Sequence, residues 1–327
     1  MTGNANAMAR ILPRLRHHGA RSLGTLAVAV LMFAGFSLTA ERFGSLPNIL
    51  NLAKQMSIVG VLGIGMTPVV LIGGIDLSVG SVVLLGGTVA GALLMDGAAA
   101  WLAIPAAILT GALVGAGNGW LIERLRVSPV IVTLATMIAV RGLGLVGLER
   151  FRSWIDVSNP TFDALGVGSI AGIPASAAIL LVIALLGIAV LRLTIFGRQL
   201  YAVGDNEAAA RLSGVAVTRV RIAAYVICGA MAGVGGILSM VRTAVVSPSI
   251  GVGLEFSAIT VVVLGGARLS GGVGRIEETL VGTAILVMVL NFLTINGIPG
   301  TWQTTVTGAL ILLAVLLKRG LAYRSAR

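Results

Sequence analysis

The chain has 327 residues, of which 57% are hydrophobic and 11% charged, and it carries a formal charge of +11. Ordinary soluble domains hold about 25% charged residues, which excludes a water-soluble globule. The basic excess is read as topogenic rather than as a nucleic-acid interface, so no nucleic-acid partner is expected.

His17 and His18 sit together near the N-terminus, and the one cysteine, Cys228, lies in an apolar stretch. That composition supports neither a metal site nor a disulfide framework nor Cys/His catalysis. The lysines, Lys54 and Lys318, follow Ala53 and Leu317, so no Gly-Lys pair can form a P-loop and any ATP must be bound by another chain. The sequence thus predicts no catalytic residue, no metal and no cofactor of its own.

In chain order, a basic cytoplasmic tail at 1–22 precedes a membrane domain at 23–318, and a second cytoplasmic tail occupies 319–327. Apolar runs mark crossings near 23–40, 50–73, 77–95, 99–122, 128–148, 172–192, 221–243, 256–267, 278–295 and 302–317. Each crossing needs roughly 20 apolar residues, and the eighth run is short enough to be a re-entrant or broken helix. The first run ends Ser37-Leu38-Thr39-Ala40 without a small-x-small cleavage site and reads as an uncleaved anchor. With the N-terminus placed in the cytoplasm, Arg and Lys concentrate on the inner side, and Arg42, Arg150 and Arg152 are left outside. The expected fold is therefore an all-α polytopic membrane protein of about ten transmembrane helices with both termini cytoplasmic.

An internal repeat aligns Val69-Val70-Leu71-Ile72-Gly73-Gly74-Ile75-Asp76-Leu77-Ser78-Val79-Gly80 with Val261-Val262-Val263-Leu264-Gly265-Gly266-Ala267-Arg268-Leu269-Ser270-Gly271-Gly272. Two related halves are a common transporter plan.

Polar groups at membrane depth are candidates for a pathway, because they are costly unless they face a cavity or a partner. The first are Asp76 and Ser78, interrupting an apolar run beside glycines that permit unwound backbone. Their alternative role is to cap the following helix. Asn118 ends the small-residue run Gly111-Ala112-Leu113-Val114-Gly115-Ala116-Gly117, which favours close helix packing. Thr133, Asn291, Asn296 and Gln303 are further lining candidates, and Trp302 reads as an interfacial anchor.

The segment 194–220 is the longest inner connection. Asp205 is expected to cap a short helix over 206–213, ended by Gly214. So short a helix is marginal alone, which suggests a cytoplasmic partner packed on its alanine-rich face near Arg198 and Arg211; a solvated topogenic loop is the alternative.

Gly74-Ile75-Asp76-Leu77-Ser78-Val79-Gly80-Ser81, Gly197-Arg198, Tyr201-Ala202-Val203-Gly204 and Asn206-Glu207-Ala208-Ala209-Ala210-Arg211-Leu212-Ser213-Gly214 together resemble the permeases of ribose-type ABC importers. The resemblance continues through Ser128-Pro129-Val130-Ile131-Val132-Thr133-Leu134, Leu269-Ser270-Gly271-Gly272 and Trp302-Gln303. It departs at Ser128, at Asp205, and at Glu277-Glu278, where Glu278 would need Arg275 or Arg268 as partner. The resemblance implies a multi-pass inner-membrane permease working by alternating access, as a homodimer or with a sister subunit. It also implies a cytoplasmic ATP-binding-cassette ATPase that binds ATP and Mg, and a periplasmic sugar-binding protein. The substrate so implied is a small neutral sugar, pentose, hexose or polyol. ATPase coupling would fall to Gly197, Arg198, Tyr201, Gly204, Asn206, Glu207, Ala209, Arg211, Ser213 and Gly214.

Permeases for branched-chain amino acids or nucleosides are the alternative within the same class. An ion-coupled secondary transporter would carry a network of intramembrane ionisable groups, whereas Asp76 is expected to stand alone. A membrane enzyme would need a nucleophile beside a base, which no span offers.

Overall fold

The computed structural model describes residues 23–157 and 159–325, excepting the side chains of 314, 315 and 317–325. The expected tail at 1–22 and the last two residues of the expected tail at 319–327 lie outside the described residues.

Ten helices coincide with the ten apolar runs. They are α1 (Leu23–Thr39), α2 (Leu46–Leu71), α3 (Val79–Met95), α4 (Ala100–Leu125), α5 (Pro129–Glu149), α7 (Ala175–Leu193), α10 (Val217–Thr243), α11 (Leu254–Leu264), α12 (Ile276–Ile295) and α13 (Gly300–Ser325). Six of these, α2, α4, α5, α7, α10 and α12, are long and apolar enough to cross a membrane. The ends follow local chemistry: Pro47 and Pro129 sit in the first turns of α2 and α5, where a missing N–H costs nothing.

The 11 residues of α11 rise only about 16 Å, roughly half a hydrocarbon core, and most of them are buried. It is thus a broken-helix element packed among α2, α12 and α13 rather than a crossing, as its shortness in the sequence suggested.

Among the described residues, three helices and four short strands have no counterpart in the apolar pattern. An amphipathic helix α8 (Ile195–Asp205) and a short α9 (Glu207–Leu212) follow α7 at one end of the bundle. At the opposite end α6 (Pro160–Val167) is accompanied by two small antiparallel pairs, β1 (Ile155–Asp156) with β4 (Val245–Val246) and β2 (Ser169–Ile170) with β3 (Ile173–Pro174).

The most extensive helix contact is α4 on α10. A Cβ at Gly111 would overlap the Gly229 carbonyl, one at Gly229 would overlap the Gly111 carbonyl, and one at Gly115 would overlap the Tyr225 carbonyl. The small-residue run therefore brings two backbones into direct contact, as its spacing predicts. Gly117, which lies outside that repeat, faces open space. At the far side of the bundle Phe36 stacks on Phe292 at 4.2 Å, and Phe43 meets both edge-on, which fastens α1 to α12.

The two arms of the internal repeat end their helices in the same way. The Gly74 N–H donates to Val69 O and the Ala267 N–H to Val262 O, each reaching five residues back across a left-handed glycine, Gly73 (φ +75) or Gly266 (φ +110). The equivalent glycines are thus Gly73 and Gly266, one residue out of register with the sequence alignment. Beyond the turn the arms differ: Ser78 is buried at the start of α3, whereas Ser270 is an exposed loop residue.

Candidate functional site

The bend between α2 and α3 turns Asp76 inward, leaving it 1% exposed. Its Oδ1 accepts from the Ser78 backbone N–H at 2.9 Å and from the Ser78 hydroxyl at 2.6 Å. This i to i+2 side-chain turn lies just before α3, whose N-cap Ser78 makes no side-chain capping bond of its own. Ser78 Oγ in turn accepts from Asn118 Nδ2 of α4 at 2.9 Å. Thr133 of α5 donates to Ile75 O at 3.4 Å and to Pro129 O at 2.9 Å. Four of the seven predicted pathway residues, Asp76, Ser78, Asn118 and Thr133, therefore converge from three helices and one bend.

Two residues of α10 complete this cluster. Cys228 is buried close to the Asp76 carboxylate. The Tyr225 hydroxyl would lie 2.5 Å from a Cβ placed at Gly74, so Gly74 is glycine because the tyrosine occupies that space. Tyr225 and Cys228 are one turn apart on the same face of α10, a polar pair in an apolar helix that is the only trace of this role in the sequence. Two buried atoms here, Asn118 Oδ1 and the Tyr225 hydroxyl, have no hydrogen-bond partner.

Asp76 does not stand alone. Glu255, in the first turn of α11, is buried against α3, where a Cβ at Gly80 would overlap its carboxylate. The eighth apolar run begins at 256, so Glu255 falls one residue outside it. Each glycine flanking the Ile-Asp-Leu-Ser core thus admits one polar side chain, Tyr225 at Gly74 and Glu255 at Gly80.

Asn291 and Gln303 lie elsewhere. Asn291 exchanges two amide hydrogen bonds with Asn48 of α2, at 3.0 and 3.1 Å, and Gln303 donates to Thr294 Oγ1 at 3.0 Å. Asn296 donates to Phe292 O within its own helix end.

The segment 194–220 folds as two helices. Thr194 caps α8 by accepting from the Gly197 N–H at 3.2 Å, and Gly197 is buried where a Cβ would overlap Leu191 O. Leu200 and Val203 face inward, Tyr201 donates to Gly274 O at 2.8 Å, and burial pushes the Tyr201 hydroxyl above its usual range.

The cap of α9 is Asn206, whose Oδ1 accepts from the Ala209 N–H at 3.0 Å, not Asp205, which is the last residue of α8. Both are good capping residues; the longer preceding helix consumes the first. Gly214 (φ +82) closes α9 as expected.

Glu207 binds Arg211 at 2.9 Å and Arg221 of α10 at 2.7 Å, and Arg221 also reaches Glu123 of α4 at 2.9 Å. The Arg211 hydrogen bond foremost, together with the charge of Arg221, holds the Glu207 carboxyl below its ordinary range.

The candidate coupling residues therefore divide. Gly197, Tyr201, Gly204 and Glu207 tie the segment to the bundle, while Arg198, Asn206, Ala209, Arg211, Ser213 and Gly214 face outward with Leu212, which is 91% exposed. Alone among the alanines, Ala210 is turned inward. Glu277, beside Glu278, pairs with Arg192 of α7.

A cavity of about 760 Å³ joins the two regions. Gly73, Gly74 and Tyr225 line it beside the Asp76 cluster, and Glu123, Arg126, Glu207, Arg211 and Arg221 line it beside α9.

A family model described as the branched-chain amino acid transport system / permease component matches residues 48–315. Ribose import permease protein RbsC of Escherichia coli (strain K12) is 36% identical over 260 residues, covering 79% of this chain and 81% of that protein. Its counterpart in Bacillus subtilis (strain 168) is 40% identical over 235 residues, covering 72% and 73%. The L-arabinose ABC transporter permease protein AraH of Azospirillum brasilense is 37% identical over 259 residues, covering 79% and 76%. No solved structure matches the chain.

Proposed function

Because the chain belongs to the family of branched-chain amino acid transport system permease components, we propose that it is the inner-membrane permease subunit of an ATP-binding-cassette importer for a small neutral sugar. The observation that carries the sugar is the identity of the relatives: permeases named for ribose and L-arabinose resemble this chain over some three quarters of its length. The chain itself is no enzyme, and hydrolysis of ATP with Mg belongs to a separate ATPase.

The cluster at the α2–α3 bend has the chemistry a polyol needs. Hydroxyl, amide and phenol groups from Ser78, Thr133, Asn118 and Tyr225 converge beside one carboxylate. A zwitterionic amino acid would call for a fixed cation as well, and among the described residues the buried charged side chains, Asp76 and Glu255, are both acidic.

Orientation follows from charge. Arg124, Arg126, Arg192, Arg198, Arg211, Arg219, Arg221, Arg268 and Arg275 gather at the α8–α9 end, which is therefore cytoplasmic. On that side α9 presents the exposed Leu212 next in sequence to Arg211, an apolar knob beside a cation that suits a groove on the ATPase. The opposite end, with α6 and the strand pairs, receives a periplasmic sugar-binding protein, and a second permease completes the pathway.

The test is uptake of radiolabelled ribose, arabinose, glucose and leucine by cells that express this chain with its genomic neighbours. Entry of a sugar and not of leucine supports the reading, and entry of leucine alone overturns it.

A further inference from the structure

Three backbone segments cross at the inner end of the bundle with no side chain between them. The Gly272 N–H donates to Leu71 O, the last carbonyl of α2, at 2.9 Å. A Cβ at Gly204, near the end of α8, would overlap that same carbonyl and stand 2.6 Å from Gly272 N. One at Gly271 would stand 2.8 Å from Gly204 O and 3.0 Å from Gly73 N, and Gly271 (φ +90) and Gly272 (φ +75) hold backbone conformations that favour glycine. Asp76 follows Leu71 by five residues, beyond the left-handed turn at Gly73.

The second half of the segment grips a different element. Glu207 of α9 binds Arg221 at 2.7 Å, and Arg221, Tyr225 and Cys228 succeed one another along one face of α10. Thus α8 holds the helix end that positions Asp76, and α9 holds the helix that brings Tyr225 and Cys228 against it. The two contacts reach the Asp76 cluster through different elements, the end of α2 and the face of α10.

We infer that the backbone crossing of Gly204, Leu71 and Gly271–Gly272 transmits displacement of the α8–α9 segment to the Asp76 bend, with Gly271 and Gly272 as positioning residues of transport. Soft side chains between the segments would absorb a small shift. Packed backbone passes it on, and a close-packed interface responds by switching rather than by graded deformation. The inference rests on the reading of α8–α9 as the ATPase-docking segment.

Cys228 is the one cysteine of the chain and is buried beside Asp76, so it reports on this movement. The experiment is maleimide labelling of Cys228 in the assembled, transport-competent complex, without nucleotide and with the ATPase trapped by a non-hydrolysable ATP analogue. Labelling is expected to rise about tenfold on trapping in the wild type. In Gly271→Ala the ATPase still co-purifies, while labelling ceases to respond and uptake is lost. Should Gly271→Ala fail to assemble, Gly272→Ala, whose added carbon meets Asp205 Cα at 3.1 Å, carries the same comparison. Unchanged labelling in a wild-type complex that transports, or a glycine variant that responds and transports like the wild type, overturns the inference. A chain that binds no ATPase overturns the functional reading instead.

Discussion

The side-chain amides of Asn48 and Asn291 hydrogen-bond to each other in both directions, at 3.0 and 3.1 Å, across α2 and α12. Each amide spends a donor and an acceptor on the other, and Asn48 also donates to Phe43 O at 2.8 Å. Asn291 is thus satisfied as a clasp. Interhelical hydrogen bonds in membranes average about 0.6 kcal/mol, so Asn291→Ala is expected to cost about 1 kcal/mol. That lowers the melting temperature in detergent by about 1–2 °C, with sugar preference unchanged. An altered preference at unchanged stability would place Asn291 on the pathway.

Gly111 and Gly117 share one helix and one local sequence yet meet opposite surroundings. Gly111→Val drives a branched side chain into the Gly229 carbonyl and is expected to cost about 1–3 kcal/mol or more, visible as loss of folded protein in size-exclusion profiles. Gly117→Ala meets nothing within 4 Å and should express like the wild type. Equal behaviour of the two variants would show that α4 and α10 do not cross at Gly111.

What the sequence disclosed follows from what hydropathy encodes. Ten apolar runs became ten helices because lipid demands internal backbone hydrogen bonding, and the overlapping glycine repeat of α4 became a backbone contact because small residues in lipid have little other use. The convergence of Asp76, Ser78 and Asn118 was visible only as a list of costly polar residues. Their pairing spans 40 positions, which no periodicity reports. Tyr225 was missed because a tyrosine in an apolar helix looks like core, and its link to Gly74 is purely spatial. The apolar pattern does not mark α8, because Arg198 and Gln199 break the run, although Leu200 and Val203 keep helical spacing. The repeat misled by one residue since paired glycines align equally well in either register.

Asp76 supplies acceptors that hold Ser78 in place. Asp76→Asn keeps the Oδ1 acceptor and is expected to preserve folding and most uptake. Asp76→Ala strands the Ser78 and Asn118 groups in a dry interior, at about 1–3 kcal/mol, and should cut both yield and transport. Comparison of the two purified complexes by thermal melt and uptake decides it; an inactive Asp76→Asn of full stability would show that the charge itself is needed.

At α9 the Glu207 carboxyl sits below its ordinary range because Arg211 and Arg221 stabilise the ionised form. The sign is that of a depressed acid: the stabilisation is present above the unfolded value of about 4.3 and is lost as pH falls through the folded one. Hydrogen exchange of the 207–214 amides should therefore quicken on acidification below about pH 4.3, once intrinsic rates are corrected. Glu207→Gln should show fast exchange already at neutral pH, without that acid step. High salt should weaken the wild-type protection only modestly, since the Arg221 contacts are partly buried.

The most direct test of the account is sugar uptake into proteoliposomes that contain this chain, its neighbouring ATPase and the binding protein, with each component and ATP omitted in turn. The account predicts uptake that requires all three chains and ATP, and that falls away with Arg211→Glu as the ATPase ceases to co-purify. Uptake by this chain alone, driven by an ion gradient without ATP, would contradict it.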